Sequence, residues 1–530
     1  VAESSTNGRG GFSLLATWLL AIAALAWLTT LSVWTLEGSI VIGMFSDSVW
    51  YLAVADYYRS LVGAQTLLDA QAAYDTSRFP PIYPALIAAV GGGIESQASV
   101  HHLTVALNAA AVFATAWWAA QLTRSVPVAL AALPLIILTP AFLNWLFVPM
   151  SEPLFLVGVV ASLVAAHRAR SGAIDILSVA AVVSIVPLIR SAGIALVAAF
   201  AVWALFAAGV RPWKRATAIL IAAVPGAAWA IYRSTKPVFL SYGDDVSLSR
   251  MIAEGETLTG YVRTQVLAMV DGVHSWFGLA SPTVSGVFIV VLGLLALHGW
   301  WRRIKTLELD AIFVPIYLGM LLLWPYPSEM TRLLSVVLPL IAVWALVGLT
   351  RWFPVKEPST VISRAAVLAG AIAGIAVAVP SWIVAVDRAT TPVAESLEPY
   401  KRTVAYFQAA DGDGARVGLE TTVRIIGLID EATHVVEAGA CIYSTYPSLV
   451  LAVSRGRLRG RLTPQLTPGQ PIQEQLPECR YLLVVNLGTR PAYAVPLYPA
   501  ELIQDSMNPL LVSEQYIGDA RFVAAALLEK

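Results

Sequence analysis

Between residues 12 and 386 the chain repeats one pattern: an apolar run, a short polar loop, then another apolar run. The runs fall at residues 12–36, 100–122, 126–145, 154–166, 174–189, 192–208, 216–232, 285–300, 311–324, 333–349 and 365–386. A helix needs about 20 apolar residues to cross the hydrocarbon core of a bilayer, so this pattern predicts about eleven transmembrane helices. Composition agrees, because 58% hydrophobic and 13% charged residues leave a 530-residue chain more apolar surface than a water-soluble core can hide. Lipid must solvate the excess. A formal net charge of zero argues against a nucleic-acid partner, which would call for a basic excess. The first run is too long for a signal-peptide core and lacks a clear small-residue cleavage site, so it is expected to remain as a span.

Charge placement sets the expected topology. The run at 82–90 ends in Gly91-Gly92-Gly93 and is too brief to cross, so it is read as re-entrant or interfacial. With Arg9 inside, the loops carrying Arg124, then Arg168 and Arg170, then Arg211, Lys214 and Arg215 all fall on the cytoplasmic side. The loops with Arg302, Arg303 and Lys305, and with Arg351, Lys356 and Arg364, join them, as the positive-inside rule asks. Counting 82–90 as a span would throw every one of these loops outside. The outer face then receives residues 37–99, with interfacial helices, residues 234–282, and the tail.

The fold expected is a polytopic α-helical membrane protein, residues 1–390, followed by a soluble α/β domain at 391–530. The tail turns mixed and polar, and short β-like runs alternate with helical ones. Strands are expected at 416–419, 434–437, 481–486 and 522–528, helices at 422–429, 448–454 and 499–504, and an exposed loop at 455–475. Both cysteines, Cys441 and Cys479, lie in this domain. In an oxidising compartment they suggest one disulfide, the alternative being two unrelated buried thiols. Neither is near a His or Asp motif, so cysteine catalysis and a zinc site are poorly supported.

Asp47 stands out because acids near hydrocarbon are costly and mark working sites. It opens an expected amphipathic helix along the outer interface, with Asp47, Tyr51, Ala55 and Tyr58 on one face. The helix dipole favours an acid there too, so Asp47 is either a functional carboxylate or an N-cap, with Ser46 and Ser48 as rival caps. Further polar features sit at outer ends of runs: Ser151-Glu152-Pro153, Arg190 with Ser191, and Glu329 with Arg332. Each alone reads equally as an interface charge that snorkels to water. Together with Asp47 and Arg78 they form an outer-face set of acids and arginines, and guanidinium forks suit a lipid-linked phosphate. His101 and His102 open the second span as phosphate contacts or solvated bystanders. Asp271, Gly272 and His274 form a polar patch with no assigned role.

The order of these motifs resembles the GT-C glycosyltransferases. It runs from Asp47 with Tyr51 one turn on, through Arg78-Phe79-Pro80-Pro81-Ile82-Tyr83-Pro84 and Ser151-Glu152-Pro153-Leu154, to Leu188-Ile189-Arg190-Ser191-Ala192-Gly193. It closes on Arg332-Leu333-Leu334 with Pro339 five residues later. The branch it looks like is the protein mannosyltransferase and aminoarabinose transferase type, which uses polyprenyl-phosphate sugars. Two departures stand out: Ser46-Asp47 replaces an acidic pair of some relatives, and Phe79 stands where the protein mannosyltransferases have His. The resemblance therefore names neither sugar nor acceptor.

What it implies is an inverting transfer on the periplasmic face of a bacterial plasma membrane. Asp47 would be the base that takes the acceptor proton, and Glu152 a second acid that orients acceptor or sugar. Arg78, Arg190 and Arg332 would bind the lipid phosphate, with Tyr51, Tyr83 and His102 lining the sugar pocket. The partners implied are a polyprenyl-phosphate sugar donor, a lipid, glycan or protein acceptor, and membrane lipids. Arginines neutralise a monophosphate leaving group, so no metal is required; a divalent ion, weakly supported, would draw on Asp244, Asp245 or His274. The rival classes are a transporter or flippase and a catalytically silent subunit of a membrane complex. Against the transporter, no run carries an acid at its middle, matched broken helices or an internal repeat. Sequence leaves the silent subunit open.

Overall fold

The computed structural model describes residues 46–64, 70, 74–75, 77–94, 96–123, 149–207, 209–236, 257–277, 282–324, 327–352, 413–444, 447–463, 472–485, 507–517 and 520–529. In chain order its longer helices are α1 (Ser46–Ser60), α2 (Ile82–Ala89), α3 (Gln97–Thr123), α4 (Glu152–Arg170), α5 (Ile176–Ile189), α6 (Ile194–Leu205) and α7 (Pro212–Ser234). Then come α8 (Leu258–Phe277), α9 (Pro282–Lys305), α10 (Leu309–Leu321), α11 (Met330–Leu334) and α12 (Leu338–Trp352). The C-terminal part runs α13 (Asp413–Val435), β1 (Cys441–Ser444), α14 (Pro447–Val453), β2 (Arg459–Leu462), α15 (Ile472–Gln475), β3 (Tyr481–Val485), β4 (Asn508–Ile517) and β5 (Ala520–Glu529). The described residues fall into two compact units, one drawn from Arg78–Tyr83 and Leu103–Asp387, the other from Thr35–Ser77, Pro84–His102 and Arg388–Lys530.

The first unit is helical. Its helices pack as α4 on α5, α5 on α7, α6 on α10, α8 on α11 and α9 on α12. The α9–α12 crossing is close because glycine sits on both sides: a Cβ on Gly299 would overlap the Trp344 carbonyl, and one on Gly348 the Leu295 carbonyl. Small residues that let backbones approach are what drive helix association where lipid offers no hydrophobic gain. Asp175 caps α5, accepting from the Leu177 amide at 3.2 Å and from Lys214 Nζ at 2.7 Å. Those two donors, Lys214 first, hold its carboxyl below the usual carboxylate range. That bracing is therefore complete above the ordinary carboxylate pKa and is lost as pH falls through the lowered value.

Among the described residues four helices are long and apolar enough to cross a membrane: Ser99–Thr123, Glu152–Arg170, Pro212–Ser234 and Thr283–Lys305. Shorter apolar helices of 10–17 residues lie at Ile176–Ile189, Ser191–Leu205, Leu309–Leu321 and Leu338–Leu349. The expected runs at 12–36, 126–145 and 365–386 lie outside the described residues. Only 11% of the apolar window in Pro212–Ser234 and 22% of that in Thr283–Lys305 is buried. Leu220, Val224 and Ile231 on α7 and Val287, Val290 and Leu294 on α9 stand exposed. Water would penalise that surface at about 25 cal/mol per Å², whereas hydrocarbon does not, so these helices are membrane helices. The 82–90 run forms α2, whose eight residues span about 12 Å and stop at Ala89, two positions before Gly91 with its φ of 74°.

The second unit is built on a five-stranded sheet of order β2-β1-β3-β5-β4. β1 pairs in parallel with β2 and β3, and β5 pairs antiparallel with β3 and β4. Alternation divides its side chains into two cores. Ile442, Tyr481, Leu483 and Leu527 pack with Ile425, Leu428, Ile429 and Ala432 of α13, while Tyr443, Leu482, Ala526 and Leu528 pack with Leu476, Cys479 and Met507. Cys441 and Cys479 are joined as a disulfide with Cα atoms 4.8 Å apart.

Strands form at 481–485 and within 520–529, and helices cover 422–429 and 447–453, as the sequence suggests. Three readings are corrected. Residues 416–419 are helical, and 434–437 are the end of α13 and the turn after it, because the i, i+3, i+4, i+7 spacing of Ile425, Leu428, Ile429 and Ala432 continues one helix through both. Residues 455–475 hold β2 and α15 rather than a bare loop, since the short Arg459–Leu462 segment finds β1 as a parallel partner. Helix α1 is not amphipathic: Val49, Leu52, Ala53 and Val54 are buried as fully as Tyr51 and Ala55, so apolar residues are enclosed all round. The expected helix at 499–504 lies outside the described residues.

Candidate functional site

In the helical unit, charged residues from three separate chain segments meet at helix ends. Glu152 occupies the first turn of α4, where Pro153 starts the helix and the dipole favours an acid. Ser151 is at the N-cap position but makes no side-chain cap bond; its hydroxyl accepts from Arg190 Nη1 at 3.0 Å instead. Arg190 ends α5 in an extended conformation, with φ of −152° and ψ of 135°, at the helix terminus that favours a cation. A 3-10 turn, Ser191–Gly193, then leads into α6. Arg332 lies on the five-residue α11, directly after a 3-10 turn at Pro327–Glu329.

Glu152 Oε1 lies 3.0 Å from Arg190 Nη1 and 3.4 Å from Arg332 Nε. Arg332 Nη2 reaches Glu329 Oε2 at 2.8 Å, and Trp324 Nε1 donates to that same oxygen at 3.1 Å. Arg332 Nη1 faces Met150 Sδ at 3.9 Å. Glu152 is 5% exposed and Arg332 3%. Charges this deep lose their hydration, at an effective penalty of several kcal/mol each, and persist only when paired. Here one Glu152 oxygen lies within ion-pair distance of two guanidinium groups, and Glu329 supplies Arg332 with a second acid.

The backbone under Arg332 is clamped. Tyr317 donates its hydroxyl to the Leu333 carbonyl at 3.1 Å, and Trp276 donates its indole N–H to the Thr331 carbonyl at 2.8 Å. Arg190 is fixed by a close approach behind it, because a Cβ on Gly193 would sit 2.6 Å from Pro187 N and 2.7 Å from the Val186 carbonyl carbon. Gly193→Ala is therefore expected to destabilise the protein by about 1–3 kcal/mol, the usual cost of overpacking, and to lower the thermal unfolding midpoint. A midpoint equal to that of the unaltered protein would show that the turn is free to relax.

The other candidate residues are placed as follows. Tyr83 is fully buried in the helical unit; burial pushes its hydroxyl well above the ordinary phenol pKa, Thr104 opposes that rise and the Glu152 charge adds to it. Arg78 is half-buried, its guanidinium 5.9 Å from the Phe79 ring centroid. In the sheet-bearing unit, Asp47 is in the first turn of α1 and 9% exposed, Tyr51 is buried, His101 is buried and His102 is exposed. Asp271 and His274 are exposed on α8. Among the described residues no three His, Cys, Asp or Glu side chains gather as a metal site, and Asp244 and Asp245 lie outside them.

Sequence reasoning missed several partners. Asp56, buried on α1, accepts from the Ile94 amide at 3.1 Å and from Arg59 at 3.3 Å. Asp310 takes both Arg303 Nε and Nη2 at 2.5 Å and Trp344 Nε1 at 2.6 Å, while Arg170 pairs with Glu308 at 2.9 Å. The available signal was an acid placed at the edge of an apolar run, the same signal that marked Asp47. Glu152 and Arg170 bound the 19-residue α4, so the two charged layers stand about 28 Å apart along it, close to the hydrocarbon thickness.

The fold and these charged layers define a multi-helix membrane protein carrying a small α/β sheet. A scan with protein-family models finds no match, and a search of curated proteins finds none. Among solved structures, the chain is similar to the Archaeoglobus fulgidus oligosaccharyltransferase in the apo form, at 12% identity and TM-score 0.48 over 91% of this chain and 70% of that one. It is also similar to the archaeal oligosaccharyltransferase AglB from Archaeoglobus fulgidus in complex with an inhibitory peptide and a dolichol-phosphate, at 12% identity and TM-score 0.47 over 87% and 69%. A third match is the Archaeoglobus fulgidus enzyme in complex with Zn and sulfate, at 14% identity and TM-score 0.47 over 87% and 67%.

Proposed function

We propose that the chain is a membrane glycosyltransferase that moves a sugar from a polyprenyl-phosphate donor to an acceptor hydroxyl, with inversion, on the outer side of a bacterial plasma membrane. The observation that carries this reading is the buried Arg190–Glu152–Arg332–Glu329 network, assembled from separate motif segments at the ends of apolar helices. Ionisable groups at such depth are expensive and are kept where function needs them.

In this reading Asp47 accepts the proton of the acceptor hydroxyl as that oxygen attacks the anomeric carbon. The bond from that carbon to the phosphate oxygen breaks, and the lipid phosphate leaves with the electron pair. Arg190, Arg332 and Arg78 stabilise the charge that gathers on it. Glu152 sets the orientation of both buried guanidinium groups and offers its second oxygen, Oε2, to a sugar or acceptor hydroxyl. Tyr51, Tyr83 and His102 are the residues assigned to sugar recognition, and the acceptor is a lipid, glycan or protein.

The test is donor turnover. Purified full-length chain in proteoliposomes, supplied with polyprenyl-phosphate sugars and a membrane-envelope acceptor fraction, is expected to release polyprenyl phosphate, read by mass spectrometry. A folded protein that neither binds nor consumes any such donor overturns the reading in favour of a silent structural subunit.

A further inference from the structure

We infer that Glu329 occupies, in the unloaded protein, the seat that a phosphate group takes when the lipid-linked ligand binds, and that Trp324 is one of the donors of that seat. The inference rests on the phosphate reading above and adds to it a residue that binds and a residue that must move.

Two donors converge on one oxygen, Glu329 Oε2: Arg332 Nη2 at 2.8 Å and Trp324 Nε1 at 3.1 Å. A guanidinium and an indole N–H aimed at a single point make an anion seat, and a carboxylate oxygen fills it as a phosphate oxygen would. The two acids around Arg332 differ in standing. Glu152 faces Nε at 3.4 Å from the first turn of a long helix, with its side chain 6% exposed, along the inner edge of the guanidinium. Glu329 sits on a 3-10 turn, its side chain 21% exposed against 4% for Arg332, and holds the outer edge. Although Glu329 is at the N-cap position of α11, its side chain makes no cap bond there. Its displacement unmakes no cap bond, and Arg332 still faces Glu152 from the clamped α11 backbone.

The departing polyprenyl phosphate is a monoester, which carries more charge than a carboxylate and presents three acceptor oxygens, so in that form the lipid phosphate outcompetes Glu329 for the outer edge of the fork. The resident carboxylate then acts as a competitor, and the apparent affinity is lowered by the fraction of time the seat is filled. Removing its charge while keeping its shape raises affinity.

The experiment measures binding of a long-chain polyprenyl phosphate, the matching polyprenol and inorganic phosphate to the full-length protein in nanodiscs, for the unaltered chain, Glu329→Gln and Trp324→Phe. Glu329→Gln is expected to bind polyprenyl phosphate about tenfold tighter, and Trp324→Phe to bind it more weakly. The polyprenol is expected to bind equally to all three. If inorganic phosphate shifts by the same ratio, the seat recognises the phosphate by itself; if only the lipid phosphate shifts, the lipid head is the ligand. Equal or weaker binding by a folded Glu329→Gln overturns the placeholder and leaves the phosphate reading intact. Failure of the unaltered protein and both variants to bind either phosphate overturns the phosphate reading, and this inference with it. If Glu329→Gln does not fold, unchanged affinity in Trp324→Phe is the result that overturns the seat.

Discussion

Glu152→Ala is expected to lower the unfolding free energy by about 3–5 kcal/mol, the cost of breaking a buried ion pair from one side. The reason is what stays behind. Arg190 and Arg332, with side chains 11% and 4% exposed, both address Glu152 Oε1. Alanine would remove the carboxylate oxygen that both guanidinium groups approach, while Arg190 keeps its bond to the Ser151 hydroxyl and Arg332 its pairing with Glu329. Loss of packing alone is smaller, since the carboxylate offers few apolar contacts. Two further variants separate the causes. Glu152→Gln keeps the shape and removes the charge, so its loss should fall between those of the unaltered protein and alanine. A triple variant with Glu152→Leu, Arg190→Met and Arg332→Met removes all three charges and is expected to recover much of the stability, because apolar replacement of a whole buried set is often neutral. Denaturation in detergent reads all three, and a loss below about 1 kcal/mol for Glu152→Ala would mean that the guanidinium groups reach water.

Asp47→Asn is expected to reduce turnover by about 10²–10⁴-fold while leaving the fold intact, the range lost when a general base is removed. Asparagine is the informative choice because it caps a helix as well as aspartate does. Asp47 lies in the first turn of α1, so a role confined to capping would survive the change and a role as base would not. The paired readout is turnover against thermal midpoint. Full activity in a stable Asp47→Asn protein assigns Asp47 to the cap and removes the base from the mechanism. Loss of both together assigns it to the architecture of α1, whose neighbouring Val49, Tyr51 and Leu52 are buried.

The sequence was readable where one element decides its own state. Long apolar runs form helices because a helix satisfies its own backbone, which lipid cannot do, and α3, α4, α7 and α9 lie where the runs at 100–122, 154–166, 216–232 and 285–300 put them. β3 and β5 were legible for the same local reason. The stretch at 416–437 was not, because short β-branched runs look like strands until Ile425, Leu428, Ile429 and Ala432 are seen packed against the sheet on one helical face. β2 depended on a partner, β1, that no local pattern announces.

Residue type and order by themselves determined that Glu152, Arg190, Glu329 and Arg332 are unusual: each is a charge set at the edge of hydrocarbon, and the cost of that position is independent of neighbours. Only the tertiary structure decided what each one touches. Arg332 meets Met150 from 182 positions away, Ser151 gives up its cap for Arg190 39 positions on, and Trp324 turns its N–H to Glu329 rather than to the interface. Asp310 shows the same division, since its acid was visible but its bidentate Arg303 and its Trp344 were not. The physical reason is that burial energy follows from a residue's own chemistry, whereas an ion pair requires two side chains at about 3 Å, a coincidence that chain folding alone arranges.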